Sequence, residues 1–313
     1  MTYRRISIFT MILAGILLPA ACQAAPSVLD PAPSAEPREA TPLPEPTQTA
    51  VTATPGIGTM MNGSDGSVLV YVPEGEFIMG GTEALVAEVQ KEMDWIKQSA
   101  PDTEPVHTVY LDAFWIDQTE VTFAQYQTCV AEGACLEPAP PGGHNAESFW
   151  PMYQDPAFSQ YPIVYVNWEM ANAYCQWAGR RLPTEAEWEK AARGTEGQLY
   201  PWGNELPDLT RMNEEGTESY AVGSFPDGAS PYGAMDMISN VSEWVADWYN
   251  PSYYETSAAE NPTGPEAGDE HVIRGPSFVN FFNNGELFIT LRFHGPAEYY
   301  WSSIGFRCAL SGN

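Results

Sequence analysis

The chain has 313 residues, enough for one or two domains, and its 44% hydrophobic and 12% aromatic content is enough for a packed core. Thirteen Lys plus Arg stand against 41 Asp plus Glu, a formal charge of −28. That balance rules against recognition of nucleic-acid phosphates or of an anionic bilayer surface, and it suits soluble cations, basic partners or Ca²⁺.

The N-terminus reads as an export signal over residues 1–22. Arg4 and Arg5 form a positive start, and Ile6 to Leu18 form an apolar stretch too short to span a bilayer comfortably. Ala20 and Ala21 precede Cys22, as in bacterial lipoprotein signals, although Pro19 departs from the aliphatic residue usual there. Plain cleavage near Ala24 is the alternative. Both place the protein outside the cytoplasm, at a bacterial surface or in the periplasm, with membrane contact only through the lipid. Residues 23–64 follow as a tether. Prolines at 26, 31, 33, 37, 42, 44, 46 and 55 in a Thr- and Ala-rich setting cannot bury a core. At about 3.1 Å per residue such a segment reaches roughly 100 Å.

A single mixed α+β domain is expected over 65–313. VLVYVPEGEFIMGG reads as two strands around a turn, 83–98 as a helix, and VHTVYLDAFWI as a further strand run. Thr122 with Gln125 forms a capping box before a helix ended by Gly133; Asn167 caps another, stopped by Gly179. In RLPTEAEWEKAARG, Thr184 and Glu187 form a second box, and Lys190 and Arg193 suit the helix C-terminus. Residues 195–265 lose regular periodicity. Strands return at HVIRG, ELFITLRF and IGFRCAL.

The chain has five cysteines, and an exported chain is expected to pair them. If Cys22 carries lipid, four remain for two bridges. Cys129 and Cys135 are close enough to close a small loop; Cys175 and Cys308 would then tie the middle of the chain to its end.

The order of VPEGEFIMGG, EPVHTVYLDAFWIDQTEVTFAQY, YPIVYVNWEMANAYCQWAGRRLPTEAEWEKAARG, YPWGN, YGAMDMISNVSEWVADWY and VIRGPSF…IGFRCAL resembles the formylglycine-generating enzymes, or sulfatase-modifying factors. The resemblance covers about residues 68–310. It implies a compact α+β fold, distantly like a C-type lectin, with little regular secondary structure. In that family Cys175 and Cys308 match a structural disulfide. Its oxidase branch turns a substrate cysteine into formylglycine with oxygen and Cu(I) held by two thiolates, soft ligands that stabilise the monovalent ion. The positions matching those thiols are Asn280 and Gly285, just beyond Arg274-Gly275-Pro276-Ser277. Neither residue can hold Cu(I), so no copper is expected. Ser242 stands where the family has a bulky aromatic, and Pro276 has no N–H to donate.

Ser277, Asn280, Arg292 and Ser242 are the candidate groove residues. Arg292 could bind an anion or pair with a carboxylate. The resemblance also implies structural Ca²⁺, with Asn240 and Glu243 at one site and Asn213 at another; oxygen ligands in irregular loops suit that ion. Trp150, Tyr153, Phe281, Phe282, Tyr299, Tyr300 and Trp301 could line a groove for a peptide, protein or glycan, though most are expected to pack internally. His107, His144, His271 and His294 form no metal-ligand spacing, and no serine-nucleophile or phosphate-cradling motif occurs. Three functions compete: a binding or accessory module without oxidase activity, a tailoring enzyme of the kind that matures the pyoverdine chromophore, and a formylglycine-generating oxidase of unusual mechanism.

Overall fold

Two four-stranded sheets and one hairpin frame the domain. The computed structural model describes residues 55–81, 102–142, 144–213, 218–279 and 288–312. These lie in the compact unit Ala53–Asn313. The export signal, Cys22, the helix expected over 83–98, Asn280 to Gly285, and Phe281 and Phe282 within that stretch lie outside the described residues.

The first sheet has the order β1 (Met60–Asn62), β2 (Val68–Val72), β5 (Phe114–Asp117), β10 (Ala309–Ser311), all antiparallel. Met60–Asn62 fell within the expected tether but pair with β2, Met60 facing Val70. β3 (Gly75–Met79) and β4 (His107–Leu111) form the hairpin. There Phe77, Met79, Val109 and Leu111 point into the core while Glu76 and Ile78 face solvent, the period-two pattern of a half-buried sheet.

The second sheet has the order β8 (Arg292–Gly295), β7 (His271–Arg274), β6 (Ser242–Trp248), β9 (Ile304–Phe306). Its β6–β9 pair is parallel and the other two are antiparallel. Gly305 is required in β9, because a Cβ there would lie 2.5 Å from the Ile163 carbonyl oxygen. IGFRCAL is therefore not one strand. The chain leaves the second sheet at Phe306 and joins the first at Ala309, turning through Arg307 and Cys308. β6 falls in the region expected to be irregular. Both faces of this inner strand are covered, so Ser242 to Val245 are all buried and no alternation betrays it. Of ELFITLRF, described from Phe288 onward, the strand begins at Arg292.

Four α-helices are described: α1 (Phe123–Ala131), α2 (His144–Gln154), α3 (Trp168–Trp177) and α4 (Glu185–Arg193). The capping boxes at Thr122/Gln125 and Thr184/Glu187 and the Asn167 cap all form as the sequence predicts. α2 carries Pro151 internally and was not expected as a helix. Its Phe149 and Tyr153 stack at 5.3 Å and pack against Phe123. Cys129–Cys135 closes the loop after α1, and Cys175–Cys308 joins α3 to the crossing between sheets. Both bridges match the expected pairing.

At the start of β7, His271 is stacked between Trp168 (3.9 Å) and Trp248 (3.8 Å), with Nδ1 3.2 Å from the Asp247 carbonyl. Burial pushes this imidazole down to about 4, against the hydrogen bonds to the Asp247 and Ala246 carbonyls. The unfolded imidazole is protonated below about 6.5 while the folded one stays neutral down to about 4. In that window the unfolded chain binds the extra proton, so stability falls with falling pH. His271→Phe keeps an aromatic ring in the stack and removes the titration. Urea unfolding across that window should show a shallower pH slope in the variant, by up to about 1.4 kcal/mol per pH unit; identical slopes would refute this account of His271.

Candidate functional site

Helix α4 carries the carboxylates that hold the second sheet in place. Glu185 accepts from Arg292 Nε (2.7 Å), Arg292 Nη2 (3.0 Å) and Arg274 Nη1 (2.9 Å). Glu189 accepts from Arg274 Nη2 (2.7 Å), Arg193 Nη1 (2.9 Å) and the Gly80 N–H (2.8 Å). Burial alone would raise the Glu185 carboxyl, but Arg292 and Arg274 outweigh it and hold it below the usual range. Arg292 also donates to the Asp102 and Asn250 carbonyls and stacks over Tyr254 and Tyr249. Of the two roles expected for Arg292, carboxylate pairing is the one the structure shows.

From this base the backbone turns at Arg274-Gly275-Pro276-Ser277. Gly275 has φ 78°, and a Cβ there would lie 3.0 Å from the Trp188 ring and 3.1 Å from the Met237 carbonyl oxygen, so only glycine fits. Ser242 Oγ donates to the Gly275 carbonyl (2.7 Å), Ser239 N–H to that of Pro276 (2.6 Å), and Phe278 N–H to that of Asn240 (3.0 Å). Pro276 thus takes part as an acceptor. Ser277 is buried at this turn.

Beside the turn lies a cavity of about 320 Å³. Its floor is Ser242, Ile273 and Ile304 from β6, β7 and β9; Phe293 and His294 of β8 and residues 295–303 form its walls, and Val279 reaches it from the turn. The 295–303 segment is anchored through its backbone, since Trp301 O accepts from Tyr165 N–H, Ala297 O from Trp168 N–H and Ser303 O from Ser242 N–H. Its Tyr299 and Trp301 line the cavity and remain 46% and 54% exposed, while Tyr300, 37% exposed, lines a different pocket. The small Ser242 side chain leaves room at the floor of the cavity. Ser242 is the one groove candidate that lines the cavity among the described residues. Trp150 and Tyr153 belong to a separate cleft beside α1 and α2.

The wall holds a pair that no sequence spacing announces. His294 Nδ1 lies 2.6 Å from Glu270 Oε2, and the His294 ring stacks on Tyr249 at 3.8 Å. The two residues are 24 apart in sequence and meet because β7 and β8 pair with Val272 opposite His294.

The expected metal ligands are placed differently. Glu243 is fully buried, with Arg307 Nε (2.7 Å), Arg307 Nη2 (2.8 Å) and Trp188 Nε1 (2.8 Å) on its oxygens. A guanidinium already neutralises it, so Glu243 does not fit a Ca²⁺ ligand. Asn240 Oδ1 accepts from Tyr220 N–H (3.0 Å), and Asn213 Nδ2 donates to the Glu218 carbonyl (2.8 Å). The carboxylates that do suit a cation are Glu120 and Asp236, which sequence reasoning missed. Glu120 is 1% exposed, and its neighbour is a second acid, Asp236, with which it can hydrogen-bond only when one of the two carries a proton. Burial and the neighbouring Asp236 charge push it well above the ordinary carboxylate range. Burial also pushes Asp236 up to about 6, against the Gly223 N–H and Arg307. No three His, Cys, Asp or Glu side chains converge among the described residues, so a cation here would draw its other ligands from backbone carbonyls, as Ca²⁺ readily does. Copper has no such fit: every cysteine among the described residues is in a disulfide.

The model of the sulfatase-modifying factor enzyme 1-like domain matches residues 60–311. The formylglycine-generating enzyme of Streptomyces coelicolor is 30% identical over 83% of this chain and 94% of its own length. A serine/threonine-protein kinase, pkn1 of Chlamydia caviae, is 32% identical over 73% of this chain, which spans 38% of that protein. The inactive C-alpha-formylglycine-generating enzyme 2 of Mus musculus is 37% identical over 48% of this chain and 49% of its own. Among solved structures, PvdO from Pseudomonas aeruginosa superposes with a TM-score of 0.65 at 24% identity, covering 83% of this chain and all of that one. That likeness speaks to fold.

Glu185 and Glu187 separate buried from exposed pairing on one helix. Glu185→Ala should destabilise the protein by about 3–5 kcal/mol, because the buried Arg292 guanidinium loses its carboxylate and Arg274 is left with Glu189 alone. Glu187→Ala removes a cap partner and a pair with Arg181, whose side chain is 39% exposed, and should cost only about 1 kcal/mol. Chemical denaturation compares them, and equal costs would refute the assignment.

Proposed function

The chain belongs to the family of sulfatase-modifying factor enzyme 1-like domains, and from that premise we propose that it is an exported, lipid-anchored binding or accessory module rather than a thiol–copper oxidase. The carrying observation is the missing pair of thiols. Asn280 and Gly285 stand at the matching positions, and amide and hydrogen cannot coordinate Cu(I) or relay electrons by thiol exchange. The four cysteines within the domain that might replace them are bonded to one another. Cys22, at the start of the Pro-rich tether, is the proposed lipid attachment point. The mouse relative whose name declares it inactive is a precedent for a family member without the oxidase reaction.

A second reading keeps chemistry in the groove, as a tailoring enzyme acting outside the cytoplasm. The Glu270–His294 pair favours it, because a carboxylate that fixes an imidazole tautomer is a common support for proton transfer. We give it second place because the described part of the cavity adds no nucleophile touching that pair.

Structural Ca²⁺ is proposed at Glu120 and Asp236 in place of Glu243. When bound, the ion would neutralise two buried carboxylates; it would supply no redox chemistry. At a hundredfold excess over Kd it would stabilise the fold by about 2.7 kcal/mol. Thermal unfolding should therefore shift upward with calcium in the wild type. In Glu120→Gln the shift should shrink, while the calcium-free protein should be at least as stable as wild type, since a neutral amide removes the repulsion between two buried carboxyl groups. No calcium shift in either protein would refute the site.

The oxidase question has a direct test. Copper(I) titration should show no tight stoichiometric site, and a cysteine-containing sulfatase peptide incubated with protein, copper and oxygen should show no aldehyde by mass spectrometry. Stoichiometric tight copper with aldehyde formation would overturn the proposal.

A further inference from the structure

The groove beside Ser242 combines features that point to a ligand class. Tyr299 and Trp301 project from the anchored 295–303 segment with ring centroids 6.2 Å apart and planes tilted by 33°. Phe293 adds a third aromatic side chain to the lining of the same cavity. Aromatic faces attract cations through the ring quadrupole, most strongly for Trp.

Glu270 is the carboxylate in the cavity's described lining, held by His294 at 2.6 Å. No lysine or arginine lines the cavity among the described residues. The sequence supplies none over residues 275–291 or 293–306 either. Arg274 and Arg292, which flank the first of these stretches, are committed to Glu185 and Glu189. The groove thus has aromatic faces and a carboxylate but no fixed cation of its own.

We propose that this cavity binds an organic ammonium ion on a short apolar stem, resting against Tyr299 and Trp301 and facing Glu270. The ammonium group can belong to a free quaternary or primary amine or to the lysyl side chain of a peptide; the recognition chemistry is the same. A volume of about 320 Å³ suits one such group. The inference rests on the binding-module reading and gives it a ligand class.

The test uses the full chain and four probes, followed by calorimetry and saturation-transfer NMR. Choline is compared with its neutral isostere 3,3-dimethylbutan-1-ol. An acetyl-Gly-Lys-Gly-amide peptide is compared with its Nε-acetylated form. At least one charged probe should bind about tenfold more tightly than its neutral partner; choline binding alone assigns a free amine, and lysyl-peptide binding alone assigns a side chain. Trp301→Ala preserves net charge and alters an exposed residue, so it separates the cavity from diffuse attraction to an acidic surface. It should weaken the charged probe about tenfold, and Glu270→Gln should do likewise. The proposal fails if neither charged probe binds, if the neutral partners bind equally well, or if Trp301→Ala leaves affinity unchanged. Such a failure would leave the thiol-less reading standing, because that reading is decided by copper and aldehyde measurements.

Discussion

The carboxylate of Glu185, buried between Arg274 and Arg292, fixes the position of everything that surrounds the groove. Two strands from opposite ends of an intervening loop each send a guanidinium to one side chain on α4. Glu189, one turn further, binds Arg274 again together with Arg193 and the Gly80 N–H. Between them Trp188 donates to Glu243, which holds Arg307 at the crossing between the two sheets. Such pairs add little net stability, because desolvation offsets much of the attraction. Their effect is on register. If β7 slipped by one residue against α4, Arg274 would lose both carboxylates and its charge would remain buried without a partner. We infer that the network selects one arrangement of irregular chain that hydrophobic contact alone would leave degenerate.

This division explains what the sequence revealed. Helix caps are local, and Thr122, Asn167 and Thr184 announced their helices because a capping side chain meets an N–H three residues on. Cysteine pairing followed from a small count and one short spacing. β6 was hidden because both its faces are covered, which erases the alternation that marks a strand. IGFRCAL was read as one element because nothing local shows that Phe306 and Ala309 belong to different sheets; the reason is Arg307, whose partners lie at Asp117, Gln118, Met235 and Glu243.

The candidate site was legible in part for the same reason. Ser242 and the Arg274-Gly275-Pro276-Ser277 turn sit in recognisable motifs, so their place beside the groove could be anticipated. Glu270 with His294, and Glu120 with Asp236, come from segments joined only by strand pairing and loop packing. Glu243 has an identity that suits a ligand role, and the fold brings it Arg307 from 64 residues away. A carboxylate in a motif indicates that a positive charge will be met, and the fold decides whether that charge is a metal ion or a guanidinium.

The groove and its supports are also energetically separable. The 295–303 wall is tied to the domain by carbonyls accepting from Tyr165, Trp168 and Ser242, bonds that use no side chain of the wall. Tyr299, Tyr300 and Trp301 can therefore change without disturbing the ion pairs behind the sheet, and exposed substitutions of this kind typically alter stability by less than about 0.5 kcal/mol. The ion pairs of α4 with β7 and β8 lie behind the sheet, and the described lining of the cavity presents aromatic faces and the Glu270 carboxylate in front of it, so the binding surface and the frame that positions it rest on different side chains.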